Sequence, residues 1–174
     1  MDLSNTIFEL IDMRSFSNLW FWIALAVVWS SASHWVLGVP WDMALRARRN
    51  GGQAAADFET LVQVNVSRLL YIAEVSALML TSFASFVLTT LAVMGFYYHL
   101  EFAQAVFLLA FPMSLVGLLS LRTARKVRGA EMTGQQLYSQ LHRHRLAVQG
   151  IGVVSIFVTA SWGMLQNLSI GALG

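Results

Sequence analysis

Cysteine is absent from this chain, so it can give no thiolate to a zinc ion or an iron–sulfur cluster, and it is compatible with an oxidising or a reducing compartment. Charge is also scarce. Asp, Glu, Lys and Arg make up 11% of the 174 residues against 57% hydrophobic ones, and the mean hydropathy is +0.62. A soluble domain carries about 25% charged residues, so the composition is that of a membrane protein. Motifs that carry catalysis are missing too: there is no nucleophile elbow, no P-loop and no zinc-protease helix motif. Nor are there paired carboxylates, because Glu74 and Glu101 flank opposite ends of one apolar run. The expectation is a protein that is not an enzyme, holds no cofactor or metal and binds no nucleic acid.

What is present is long, uninterrupted apolar sequence. Asp, Glu, Lys and Arg are missing from Ser15–Trp41, Val75–Leu100, Phe102–Leu121 and Leu146–Gly174. A helix of about 20 residues crosses the roughly 30 Å hydrocarbon core, so each interval is long enough. Membrane strands would be shorter and would alternate apolar with polar residues, which these runs do not. The sequence predicts a single all-α domain over residues 1–174, a membrane four-helix bundle with spans at about 17–39, 74–98, 103–121 and 147–169. Connections fall at about 42–70 and 122–145. Ser31-Ala32-Ser33 has the small-x-small look of a leader-cleavage site, but Asp2, Glu9 and Asp12 against Arg14 reverse the charge expected of a leader's basic flank. The first run is therefore read as a span.

Orientation follows from the basic residues. Arg46, Arg48, Arg49 and Arg68 lie between the first and second runs, and Arg122, Arg125, Lys126, Arg128, Arg143 and Arg145 between the third and fourth. Both connections are expected in the cytoplasm, with both termini on the opposite side, N-out/C-out, in a bacterial inner membrane. All of these basic residues except Arg68 are expected to meet anionic lipid headgroups, together with the adjoining His142 and His144. The connections carry helix signals. Asp57 is a candidate N-cap for a helix running into the second span, and Thr133 with Gln136 a capping box ahead of the fourth. Gly129 is a stop for the third helix, and Pro112 a kink inside it.

Small residues at a spacing of four mark candidate contact faces, since they let helix backbones approach in lipid. One stripe is Ala73, Ala77, Thr81, Ser85 and Thr89; the other is Ser155, Thr159, Gly163, Asn167 and Gly171. They fit either a self-contained bundle or a bundle with one stripe left for a partner's helix. His34 and Glu74 fall at similar expected depths and form a candidate intramembrane polar pair, either a structural contact or a proton-handling site. Bis-histidine haem ligation needs two rings at one depth, which His99, His142 and His144 do not offer to His34. Trp20, Trp22, Tyr97 and Tyr98 at one boundary, with Trp35 and Trp41 at the other, read as an anchoring aromatic belt.

The segments "IDMRSFSNLWFWIALAVVWSSASHWVLGVPWDMALRARR", "FAQAVFLLAFPM" and "SLRTARKVRG" resemble a family of short four-span inner-membrane proteins of alphaproteobacteria. Some members carry a label linking them to the SufBCD iron–sulfur assembly complex. The resemblance implies a location in the inner membrane and carries across no catalytic or binding residue. The expected function is that of an accessory or assembly subunit beside other membrane-protein subunits. The alternative is a small proton-coupled transporter that works as an oligomer with Glu74 as its titrating carboxylate.

Overall fold

The computed structural model describes residues 15–171, with side-chain surroundings as far as residue 168. Asp2, Glu9, Asp12 and Arg14, which set aside the leader reading, lie outside the described residues. A short 3-10 turn, Ser15–Ser17, leads into α1 (Leu19–His34). A two-stranded hairpin follows, β1 (Trp35–Val36) and β2 (Val39–Pro40), then α2 (Trp41–Asn50) and α3 (Gly52–Ala92). A π turn at Val93–Tyr97 leads to α4 (Glu101–Gly129) and α5 (Gly134–Gly171). The chain is all-α in character, and three of its helical stretches are long and apolar enough to cross a membrane: Gly52–Tyr97, Glu101–Gly129 and Gly134–Leu168.

The first apolar run does not form one helix. α1 stops at His34 after 16 residues, about 24 Å at 1.5 Å per residue, short of the roughly 30 Å core. The reason is local. Pro40 has no N–H for a helix, and Leu37 and Gly38 both take positive φ (51° and 76°), the mirror-image turn that suits a two-residue antiparallel hairpin. Trp35 thereby faces Pro40, and Val36 faces Val39.

Other boundaries also move. α3 begins at Gly52, so Asp57 lies within it and accepts a hydrogen bond from Gln53 (2.7 Å) instead of capping the helix. Thr133 precedes α5, and the Gly134 N–H donates to the Glu59 carboxylate of α3 (2.7 Å). α4 ends at Gly129, where a stop was expected, and Pro112 is buried inside it.

The helices run up and down. α4 packs against both α3 and α5, and α1 lies along α5. A Cβ at Gly152 would sit 2.8 Å from the Trp29 ring and one at Gly163 3.3 Å from the Phe16 ring, so α1 and the turn before it run antiparallel to α5, and at Gly152 only glycine fits without a shift. The largest buried cluster is at the end that carries the basic residues. It joins Val36, Val39, Trp41 and Ala44 to Phe58, Val62 and Val66 of α3, Ala124 and Val127 of α4, and Leu137 and Leu141 of α5. Burying apolar surface stabilises by about 25 cal/mol per Å², so this core ties the helices together at the basic end. A smaller cluster around Phe16, Phe21 and Ala105 joins them at the far end.

Candidate functional site

The polar groups fall into three places: two sets of contacts at the helix ends and one unpartnered face. At the far end Gln104, 2% exposed, is the hub. Its amide nitrogen donates to the Gly95 carbonyl (2.8 Å), and its oxygen accepts from Trp162 Nε1 (2.9 Å) and Gln166 Nε2 (3.1 Å). Gly95 makes the approach possible, since a Cβ there would lie 2.9 Å from the Gln104 backbone nitrogen. The Phe16 N–H donates to Glu101 (2.6 Å), the Trp22 indole donates to the Phe16 carbonyl (3.2 Å), and the Ser17 hydroxyl donates to Asn167 (2.9 Å). These bonds pin the turn ahead of α1 to α4 and α5. A lone glutamine in an otherwise apolar run was the available signal, and the sequence reading passed over it.

At the basic end two arginines lie against aromatic rings, Arg145 half-buried and Arg48 exposed. The Arg145 guanidinium lies 5.0 Å from the Trp41 ring centroid and its Nε donates to the Ser33 carbonyl (3.1 Å). The Arg48 guanidinium sits 5.0 Å over Tyr138 and donates to its hydroxyl (3.3 Å). Trp41, Tyr138 and His142 pack pairwise with ring centroids 5.5–6.1 Å apart, so the three rings form one cluster across α2 and α5, with Arg48 over Tyr138 and Arg145 over Trp41. A guanidinium stacks well on an aromatic face, so half-buried Arg145 helps close the fold, while Arg48 stacks on Tyr138 and stays exposed. Trp41, 7% exposed, belongs to the core and not to an anchoring belt. His144, expected to face headgroups, is buried and hydrogen-bonds with Thr123 of α4 (3.0 Å). It lies outside the apolar interval of α5, and burial lowers its pKa from the ordinary imidazole value. Arg46, Arg49, Arg122, Arg125, Lys126, Arg128 and Arg143 are exposed; Arg46 approaches Asp42 (3.4 Å) and Arg143 donates to Gln140 (2.7 Å).

His34 and Glu74 are not brought together. His34 ends α1, more than half exposed, with Nε2 3.9 Å from Asp42 at the start of α2. Glu74 is exposed on α3 and makes no hydrogen bond or ion pair among the described residues. Equal depth had suggested contact, but α1 packs on α5 rather than α3, and the hairpin carries the chain away.

The two small-residue stripes separate. Ser155, Thr159 and Gly163 are buried, and Asn167, although exposed, accepts the bond from Ser17. This stripe is internal packing. Gly171 closes α5 beyond the residues whose surroundings are described. On α3, Ala73 is buried, whereas Ala77, Thr81, Ser85 and Thr89 are exposed. A step of four residues turns a helix by about 400°, so the stripe drifts about 40° per step away from the face that meets α4. No residue of α3's most apolar stretch is buried in the chain itself.

Cavities open between helices among the described residues. An apolar cleft of about 440 Å³ lies between α4 and α5 around Phe111, Pro112, Val154 and Thr159. A groove of about 310 Å³ lies at the basic end, between the hairpin, α3 and α4. Among the described residues no three His, Asp or Glu side chains cluster as metal ligands would. Comparison with protein-family models, with curated proteins and with solved structures finds no match to this chain.

Proposed function

We propose that this is a bacterial inner-membrane protein of four antiparallel spans, N-out/C-out, which works without chemistry as an accessory or assembly subunit. α3 is its docking helix. One observation carries the reading: the apolar stretch of α3 has no buried residue, yet it bears Thr81, Ser85 and Thr89 in a row of exposed hydroxyls, with exposed Glu74 nearer the basic end. Hydroxyls facing hydrocarbon gain nothing, and a charged side chain at the bilayer centre costs about 2.5–3.5 kcal/mol on insertion scales. A helix from another membrane protein would cover them, and residues this small let two backbones come close. The α5 stripe is already used within the chain, with Ser155 and Thr159 buried, Gly163 against Phe16 and Asn167 bonded to Ser17. The antiparallel run of α1 along α5 supports the fourth span, with the exposed arginines at one end setting the orientation.

Photo-crosslinking in native membranes tests this reading. A photoreactive residue at position 81 or 85 should give one discrete adduct with another membrane protein, and one at lipid-facing Phe157 of α5 should give none. Ser85→Trp should remove the adduct formed from position 81 while the chain stays folded. Adducts from both faces alike, or from neither, would defeat the docking face. Proton-coupled flux in liposomes that disappears in Glu74→Gln would put a transporter in place of the subunit.

A further inference from the structure

The groove at the basic end has the layout of an amphiphile site. Its cation is Arg68 of α3, the last basic residue before the apolar stretch, and its guanidinium has no hydrogen-bond or ion-pair partner among the described residues. Leu69, the next residue, and Ile72, one turn beyond Arg68, lie on the same groove-facing side and form an apolar floor leading toward the membrane interior. Trp35 stands at the mouth, 53% exposed, where an indole favours the membrane–water boundary. Ser120 of α4 closes the opposite wall, two residues before Arg122 marks the same boundary on that helix. Asn65 donates to the Gly38 carbonyl (3.3 Å) and so fixes the hairpin as the third wall. No Asp or Glu lines the groove.

We propose that this groove binds one anionic phospholipid, its phosphate on the Arg68 guanidinium and the start of an acyl chain over Leu69 and Ile72. The inference goes beyond the subunit reading and rests only on α3 and α4 crossing a membrane. A planar guanidinium matches two phosphate oxygens at once, and the order of cation, ring and apolar floor follows the order of groups along a phospholipid from headgroup to chain. With a free cation and no carboxylate, the groove favours an anionic headgroup over one with a compensating ammonium. Its volume of about 310 Å³ suits a phosphate and its first methylenes.

The test is native mass spectrometry of the full chain, released from nanodiscs that contain equal phosphatidylglycerol and phosphatidylcholine. The wild type should keep about one phosphatidylglycerol and little phosphatidylcholine. Arg68→Gln should lower that retention about tenfold, as expected for loss of a charge-assisted contact. Arg49→Gln, which removes an exposed arginine that meets headgroups only at the open surface and does not line the groove, should leave the one retained lipid unchanged. Ser120→Phe fills the groove with Arg68 in place and should also lower retention, so the outcome does not hang on one variant folding. Equal losses in Arg68→Gln and Arg49→Gln, or equal retention of both lipids by the wild type, would overturn the proposal. Displacement of the lipid by millimolar glycerol phosphate would also overturn it, showing a phosphate site that does not use the chain.

Discussion

Gly152→Ala isolates the contact between α1 and α5. The new Cβ would lie 2.8 Å from Trp29 Cε3, 3.2 Å from Cδ2 and 3.3 Å from Cζ3. The ring cannot step aside cheaply because Trp29 is 5% exposed. Overpacking of this kind costs about 1–3 kcal/mol, while exchanging glycine for alanine in a helix returns up to about 1 kcal/mol. Gly150→Ala, two residues away in the same helix, meets nothing within 4 Å and receives the same helix gain without the clash. The difference between the two variants therefore reads the clash alone, about 1–3 kcal/mol, with Gly152→Ala the weaker. Unfolding of both variants in one detergent, followed by far-ultraviolet circular dichroism against temperature or added denaturing detergent, measures it. Equal stability, or a weaker Gly150→Ala, would mean that α1 does not rest on α5 in this register.

Gln104→Leu keeps the volume but strips the far-end hub, leaving Trp162 Nε1 without its acceptor and the Gly95 carbonyl without its donor; a loss of about 1–3 kcal/mol is expected in the same unfolding assay, together with a change in tryptophan emission. His144 has its folded pKa lowered by burial, so the unfolded chain binds the proton more readily. Its contribution to stability is complete above the ordinary imidazole value of about 6.5 and falls away as the pH drops below it, and His144→Gln should flatten stability measured from pH 7 to pH 5. A reporter fused after Gly174 should be active in the periplasm and silent in the cytoplasm, since that arrangement alone puts both basic connections inside; the reverse pattern would remove the proposed orientation.

The long apolar runs, the helical connections and the stop at Gly129 were legible because hydropathy and helix signals act locally. The early end of α1 was legible in principle: Val36-Leu37-Gly38-Val39-Pro40 carries a glycine and a proline, but they were submerged in a run defined only by lack of charge. Which side of a helix is covered depends on its neighbours, and composition does not record them. The two stripes share a spacing, yet Thr159 is covered by the packing around α5 while Thr81 faces outward. Counting basic residues likewise treats Arg145 and Arg125 as equals, although Trp41 draws only the first back into the fold. Gln104 became visible once the π turn and α5 met on it, and His144 once α4 packed beside α5.

The buried cluster at the basic end also imposes an order of events on synthesis. Its residues come from 36–70 and from 124–141, while residues 71–123 leave that end along α3 and return along α4. Phe58, Val62 and Val66 are made early, but their partners Leu137 and Leu141 emerge only after the intervening helical hairpin has been completed. Until then the apolar face of the first connection is covered only by the β1–β2 hairpin and α2, a state open to aggregation or to chaperone capture. A ribosome stalled before Leu137 would expose that face, and one stalled once α5 had emerged would not.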